Sequence, residues 1–139
     1  MGSIVPPSDQ RPQDEPVQMG KLNYAAGDYG LAERHFQQAV EVNPKSIEAW
    51  LGLAASYDRL HRFDLAERAY TRVLALAGRA PAVLNNLAYH NMLKGNLGQA
   101  RVLLAEAVAK DPGNPVIQGN LHLLDTWKTG GTEPLPVPG

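Results

Sequence analysis

The feature that most limits what this chain can fold into is a turn written three times. Residues 27–33 read GDYGLAE, residues 61–67 read HRFDLAE and residues 95–101 read GNLGQAR, so each copy starts 34 residues after the last. A small residue recurs at Ala32, Ala66 and Ala100, and four residues later stands a bulky one: Phe36, Tyr70 and Leu104. Ala39, Val73 and Ala107 follow, then Val40, Leu74 and Val108. Steps of three and four keep side chains on one face of a helix. Ahead of each turn Met19, Leu53 and Leu87 align, and the next residue is always small: Gly20, Ala54 and Ala88.

Aligned on this period the chain divides without a gap into units 13–46, 47–80 and 81–114. Asn43-Pro44 and Asp111-Pro112 are helix stops, because proline disfavours helix in the residue before it. Gly78 stands at the intermediate position. The segments between punctuation are about 12–14 residues, an ordinary helix length. Each unit therefore reads as a helix, a tight turn and a second helix. Small residues let the two helices approach, and large ones fill the space beside them. One pair offers too little surface to close its own core, so neighbours must stack.

The pattern resembles the tetratricopeptide repeat, a helix–turn–helix with W-x2-L-G-x2-Y, then A-x3-F, then P. Unit two carries Trp50, Leu53, Ala54, Tyr57, Ala66 and Tyr70 at those positions. Unit one keeps Gly20, Ala32, Phe36 and Pro44, and unit three keeps Leu87, Ala88, Ala100, Ala107 and Pro112. The departures are Pro16 for the bulky residue, Asn23 and Asn91 for the tyrosine, and Gly78 for the proline. The resemblance implies an all-α, right-handed superhelical solenoid of three repeats. Residues 115–128 follow Asn114-Pro115, an N-cap with proline at the first helical position, and predict a capping helix over the open last repeat. Trp50 is expected in the core, where truncation to alanine would cost on the order of 3–5 kcal/mol.

Residues 1–15 and 129–139 are proline-rich and lack periodicity, so a flexible leader and a flexible tail are expected around a repeat domain at 16–128. The opening Met1-Gly2-Ser3 resembles an expression scar, which leaves room for a removed targeting segment.

Charge narrows the function. With 13 basic and 14 acidic side chains the formal net charge is −1, and no Lys/Arg cluster breaks that balance. A general electrostatic grip on nucleic acid or anionic membrane is not expected. The chain has no cysteine, which removes disulfides, thiolate metal sites and a cysteine nucleophile. No apolar run approaches the roughly 18 residues of a membrane helix. The histidines, His35, His61, His90 and His122, occupy different repeat positions and make no i, i+3 or i+4 pair, so surface and turn roles are expected and a metal site is not. No serine lies in a nucleophile elbow and no glycine loop follows a strand. Ser46 reads as the N-cap of the helix holding Trp50, with Glu48 in its first turn. No catalytic residue, cofactor or enzyme activity is expected.

Family resemblance implies that first helices line a concave surface. Carried over by position, the groove residues are Lys21 and Tyr24; Leu51, Ala55, Asp58 and Arg59; Asn85, Asn86, Tyr89 and Met92; and Asn120, Leu123 and Trp127 on the end helix. Asparagine amides can pair with a peptide backbone, and tyrosines supply rigid contact area with a polar tip. Gly52 and Ala55 are expected to leave room for a partner. The co-chaperone members of the family clamp a carboxylate with lysines, asparagines and an arginine. Here the matching positions hold Val17, Lys21, Gly52, Ala82 and Asn86, so that clamp is not expected.

The expected function is a non-enzymatic scaffold for a protein or peptide partner, with self-association through end faces as a further expectation. Residues 84–121 resemble bacterial repeat proteins of the Tad/Flp pilus assembly system. That resemblance implies an outer-membrane lipoprotein facing the periplasm, whose polar leader would tether the domain to a lipid anchor. The alternative is a cytoplasmic adaptor or regulatory subunit of an enzyme complex.

Overall fold

The written repetition reappears as a repeated backbone hydrogen bond. In the computed structural model, which describes residues 14–127, the N–H groups of Asp28, Arg62 and Asn96 donate to the carbonyls of Asn23, Tyr57 and Asn91, each at 2.8 Å. One residue earlier, Gly27, His61 and Gly95 donate to Tyr24, Asp58 and Met92, each at 3.0 Å. These three residues have φ of 80°, 57° and 85°. A left-handed residue with this pair of bonds satisfies the last carbonyls of a helix and turns the chain back. Histidine is among the few non-glycine types that enter that region readily, which explains how unit two keeps the turn without glycine.

Among the described residues the chain forms seven α-helices and no strand. They are α1 (Glu15–Ala25), α2 (Tyr29–Val42), α3 (Ile47–Arg59), α4 (Phe63–Ala77), α5 (Pro81–Lys94), α6 (Leu97–Lys110) and α7 (Pro115–Thr126). The second helices start at 29, 63 and 97, and α3, α5 and α7 start at 47, 81 and 115, again in steps of 34. Thus α7 stands where the first helix of a fourth unit would. Its N-cap forms as expected: Asn114 Oδ1 accepts from the N–H groups of Val116 at 2.9 Å and Ile117 at 3.3 Å. Ser46 Oγ caps α3 by accepting from Ala49 N–H at 3.1 Å. The helix α1 begins at Glu15, inside the expected leader; the rest of that leader and the tail lie outside the described residues.

The apolar stripes meet in three clusters. Val17, Ala32, Phe36, Ala39, Val40, Ala49 and Leu53 form the first, and Ala54, Ala66, Ala69 and Tyr70 the second. The third joins α5, α6 and α7 around Leu84, Ala88, Leu104, Ala107, Ile117 and Leu124. Half-buried Trp50 and Tyr57 pack against both the first and the second, and Leu87 against both the second and the third, so consecutive units share walls. Trp50 is therefore a seam residue and not the fully buried core residue expected. Its indole N–H donates to Pro44 O at 2.7 Å, and the Arg72 guanidinium lies 5.4 Å from its ring centre. Met19 aligns with buried Leu53 yet is exposed, because no helix among the described residues precedes α1 to cover it.

Candidate functional site

The residues expected to line one groove divide into two groups. Lys21, Tyr24, Leu51, Ala55 and Asn86 surround a single cavity of about 250 Å³, together with Ala25, Phe36, Glu48 and Gly52. Helical spacing explains the grouping. Lys21, Tyr24 and Ala25 are three and four apart on α1, and Leu51 and Ala55 are four apart on α3. Phe36 reaches in from α2 and Asn86 from α5. Apolar side chains dominate the wall, the usual character of a recognition pocket.

Gly52 and Phe36 shape the floor. A Cβ on Gly52 would come within 2.4 Å of the Phe36 ring, and one on Gly20 within 2.8 Å. The space that Gly52 was expected to leave for a partner is thus filled by Phe36. An isolated glycine inside a helical pattern was the signal available for this contact, since such glycines usually have a packing reason. At the mouth, Lys21 Nζ donates to Glu48 Oε2 at 2.8 Å. Both side chains are more than half exposed, so this pair adds little stability and leaves Lys21 locally neutralised.

Arg59 continues the α3 face one turn beyond Ala55. It is half-buried, with its guanidinium carbon 4.4 Å from the centre of the Tyr29 ring. Tyr29 in turn meets Tyr24 edge-on, with centroids 5.1 Å apart. Burial raises the Tyr24 hydroxyl well above its ordinary pKa even though the adjacent Arg59 charge pulls it down. The Tyr24 hydroxyl and the Arg59 Nε and Nη1 atoms are shielded from solvent, and none makes a well-formed hydrogen bond among the described residues.

The second group is corrected by the structure. Asp58 is 1% exposed and points into the protein, away from any partner. Its carboxylate accepts from Tyr70 Oη at 2.9 Å and meets His90 Nδ1 at 2.5 Å. His90 Nε2 lies 3.0 Å from Glu67 Oε2, which also takes Lys94 Nζ at 2.5 Å. His90 was expected at a surface or turn; it is instead buried between units two and three. Burial lowers the His90 pKa, but contact with Asp58 and then Glu67 outweighs it, so the net direction is upward.

Asn85 and Asn120 are also withdrawn from the groove wall. Both are buried, and Asn120 Nδ2 donates to Asn85 Oδ1 at 2.9 Å across the α5–α7 seam. Met92 and Tyr89 lie in the third core cluster, with half-buried Leu123 and Trp127 packed against it. The cause is the position of α5, which touches α3, α4, α6 and α7 and so has little face left for solvent. Asn86 is likewise buried: its Nδ2 donates to Ala82 O, and its backbone carbonyl accepts from Tyr70 Oη, both at 3.2 Å.

Among the described residues no group of three or more His, Cys, Asp or Glu side chains is placed to hold a metal ion. No described helix is long and apolar enough to cross a membrane.

Comparison with known proteins places this architecture. The tetratricopeptide repeat family matches residues 23–88. The cytochrome c-type biogenesis protein CycH of Pseudomonas aeruginosa is 33% identical over 90 residues, covering 63% of this chain and 22% of that protein. The chain spans about a fifth of that protein's length, and likewise 22% of the peroxisomal targeting signal receptor of Kluyveromyces lactis. A solved structure of Pseudomonas aeruginosa pilF has a TM-score of 0.70 at 27% identity, over 81% of this chain and 52% of that one. The Yersinia enterocolitica type III secretion chaperone SycD, solved with a peptide of the translocator YopD, has a TM-score of 0.67 at 20% identity, over 82% of this chain and 87% of that one.

Proposed function

This chain is a tetratricopeptide repeat protein, and from that premise we propose that it is a non-enzymatic scaffold holding a peptide or extended protein segment in its concave cavity. The observation that carries the reading is the cavity itself. Four helices from three successive repeats converge on about 250 Å³ of mostly apolar space, fringed by Lys21, Glu48 and Asn86. That chemistry suits side-chain insertion: apolar walls reward burial, and the few polar groups orient what enters. The YopD peptide complex of the similarly folded SycD supports a peptide as the occupant.

A photo-crosslinking amino acid at Leu51 tests this, with one at Val102, a 60% exposed position on α6, as control. Adducts with the native partner from position 51 and not from 102 are expected. Adducts from 102 alone would reject the groove.

For setting, we infer a role in bacterial Tad/Flp pilus assembly on the periplasmic side of the outer membrane, from the resemblance of residues 84–121 to such proteins. The N-terminal segment of the natural gene product decides it. A signal with a lipidation cysteine and recovery in the outer-membrane fraction are expected; recovery in the cytoplasm would favour an adaptor or regulatory subunit there.

A further inference from the structure

Tyr70 has one hydroxyl proton and stands between two acceptors. Its oxygen lies 2.9 Å from Asp58 Oδ2 on α3 and 3.2 Å from the Asn86 carbonyl on α5. A phenol has a single O–H to give, so the two acceptors compete for it. All three residues are buried. The acceptors differ in charge, and His90 governs that difference. The other carboxylate oxygen of Asp58 meets His90 Nδ1 at 2.5 Å. A pair this close takes up and releases a proton as a unit. With the proton in the pair, the Asp58 charge is compensated. With the proton gone, the carboxylate faces a neutral imidazole and holds the Tyr70 hydroxyl more tightly, because charged acceptors make the stronger bonds. The competing acceptor, Asn86, is one of the residues lining the cavity.

We propose that Asp58, His90 and Tyr70 form a pH-operated selector: the protonated pair releases the Tyr70 hydroxyl to the Asn86 carbonyl and ties α4 to the cavity wall, and the deprotonated pair draws it back to Asp58 within repeat two. The selector acts on the wall whatever occupies the cavity. The groups facing the imidazole are Asp58 from α3, Glu67 and Tyr70 from α4, and Lys94 of its own helix through Glu67. Phe63 stands edge-on to it, with His61 against Phe63. Leu103 and Leu104 of α6, and Ile117 and Leu124 of α7, share the α5 cluster and carry no ionisable group. Tyr24 and Tyr89 lie near Tyr70. Burial keeps the Tyr24 and Tyr70 hydroxyls protonated, and contact with Lys94 and His90 keeps Glu67 charged. The His90–Asp58 pair is left as the group that changes.

Nuclear magnetic resonance of the intact chain, with carbon-13 at the asparagine carbonyls, tests this. As pH rises, the Asn86 carbonyl resonance should move upfield, since a carbonyl that loses a hydrogen bond loses deshielding. Its midpoint should match that of the His90 ring protons. In Tyr70→Phe, His90 should still titrate while the Asn86 carbonyl stays still. In His90→Asn the carbonyl should stay still as well. A carbonyl that moves in Tyr70→Phe as it does in the parent chain reports only the field of the imidazolium and overturns the selector. A carbonyl that stays still or moves downfield in the parent chain overturns it too, a result that needs no variant to fold. So does a His90 ring that does not titrate.

Discussion

His90 and Asp58 meet side chain to side chain, Nδ1 to Oδ1 at 2.5 Å, although 32 residues separate them in the chain. Around the imidazole stand Asp58 from α3 and Glu67, Tyr70 and Phe63 from α4, with Lys94 of its own helix reaching Glu67. The pair ties repeat two to repeat three through a buried contact between two ionisable groups. Because the folded state raises the His90 pKa above 6.5, its contribution is full below that value and fades as pH rises through the folded value. Thermal melts should therefore fall as pH climbs above 6.5, and the slope should flatten in His90→Asn. Equal slopes in the two proteins would show that His90 is not the titrating group.

Asp58 is the partner whose loss should hurt most. Asp58→Ala leaves a buried imidazole and the Tyr70 hydroxyl without their shared acceptor. Breaking such a pair from one side costs about 3–5 kcal/mol. Asp58→Asn keeps a carbonyl acceptor and should cost distinctly less. Urea denaturation midpoints compare the two, and equal losses would mean that volume, not hydrogen bonding, matters at this position.

Gly52 and Phe36 make a steric prediction. Alanine at 52 puts a methyl 2.4 Å from the ring, so Phe36 must move or α3 must shift. Overpacking of this kind costs about 1–3 kcal/mol. Adding Phe36→Leu should recover part of the loss, a coupling that a double-mutant cycle measures. Strictly additive effects would reject the contact.

Trp50→Ala should cost about 2 kcal/mol, below the 3–5 kcal/mol typical of a fully buried aromatic. The ring is half-buried and gives up the Pro44 hydrogen bond and the Arg72 contact as well as packing. Chemical denaturation decides between these values. A loss in the higher range would restore the reading of Trp50 as core.

Two glycines should respond in opposite directions. Gly95 sits at φ 85° with open space around its Cβ position, so Gly95→Ala costs about 1–2 kcal/mol from backbone strain alone. Gly119 lies within α7, also with open space, so alanine there should stabilise by about 0.5–1 kcal/mol. Paired melting curves check both signs.

The repeat length, the seven helices and their turns were legible because each rests on local rules. Spacings of three and four define a helix face, proline and glycine end helices, and a left-handed residue closes each turn, so Ser46, Asn114, Gly27 and Gly95 could be placed from neighbours alone. Of the residues expected to line a groove, Lys21, Tyr24, Leu51, Ala55 and Asn86 share one cavity. Tertiary structure decided the rest. Periodicity states which residues of α5 share a face, but not that four helices would close around it and take Asn85, Tyr89 and Met92 inside. Nor could spacing reveal that Asp58 turns inward to His90 while its neighbour Arg59 lies over the Tyr29 ring. Adjacent residues on a helix point about 100° apart, and which direction is buried depends on helices supplied from elsewhere in the chain.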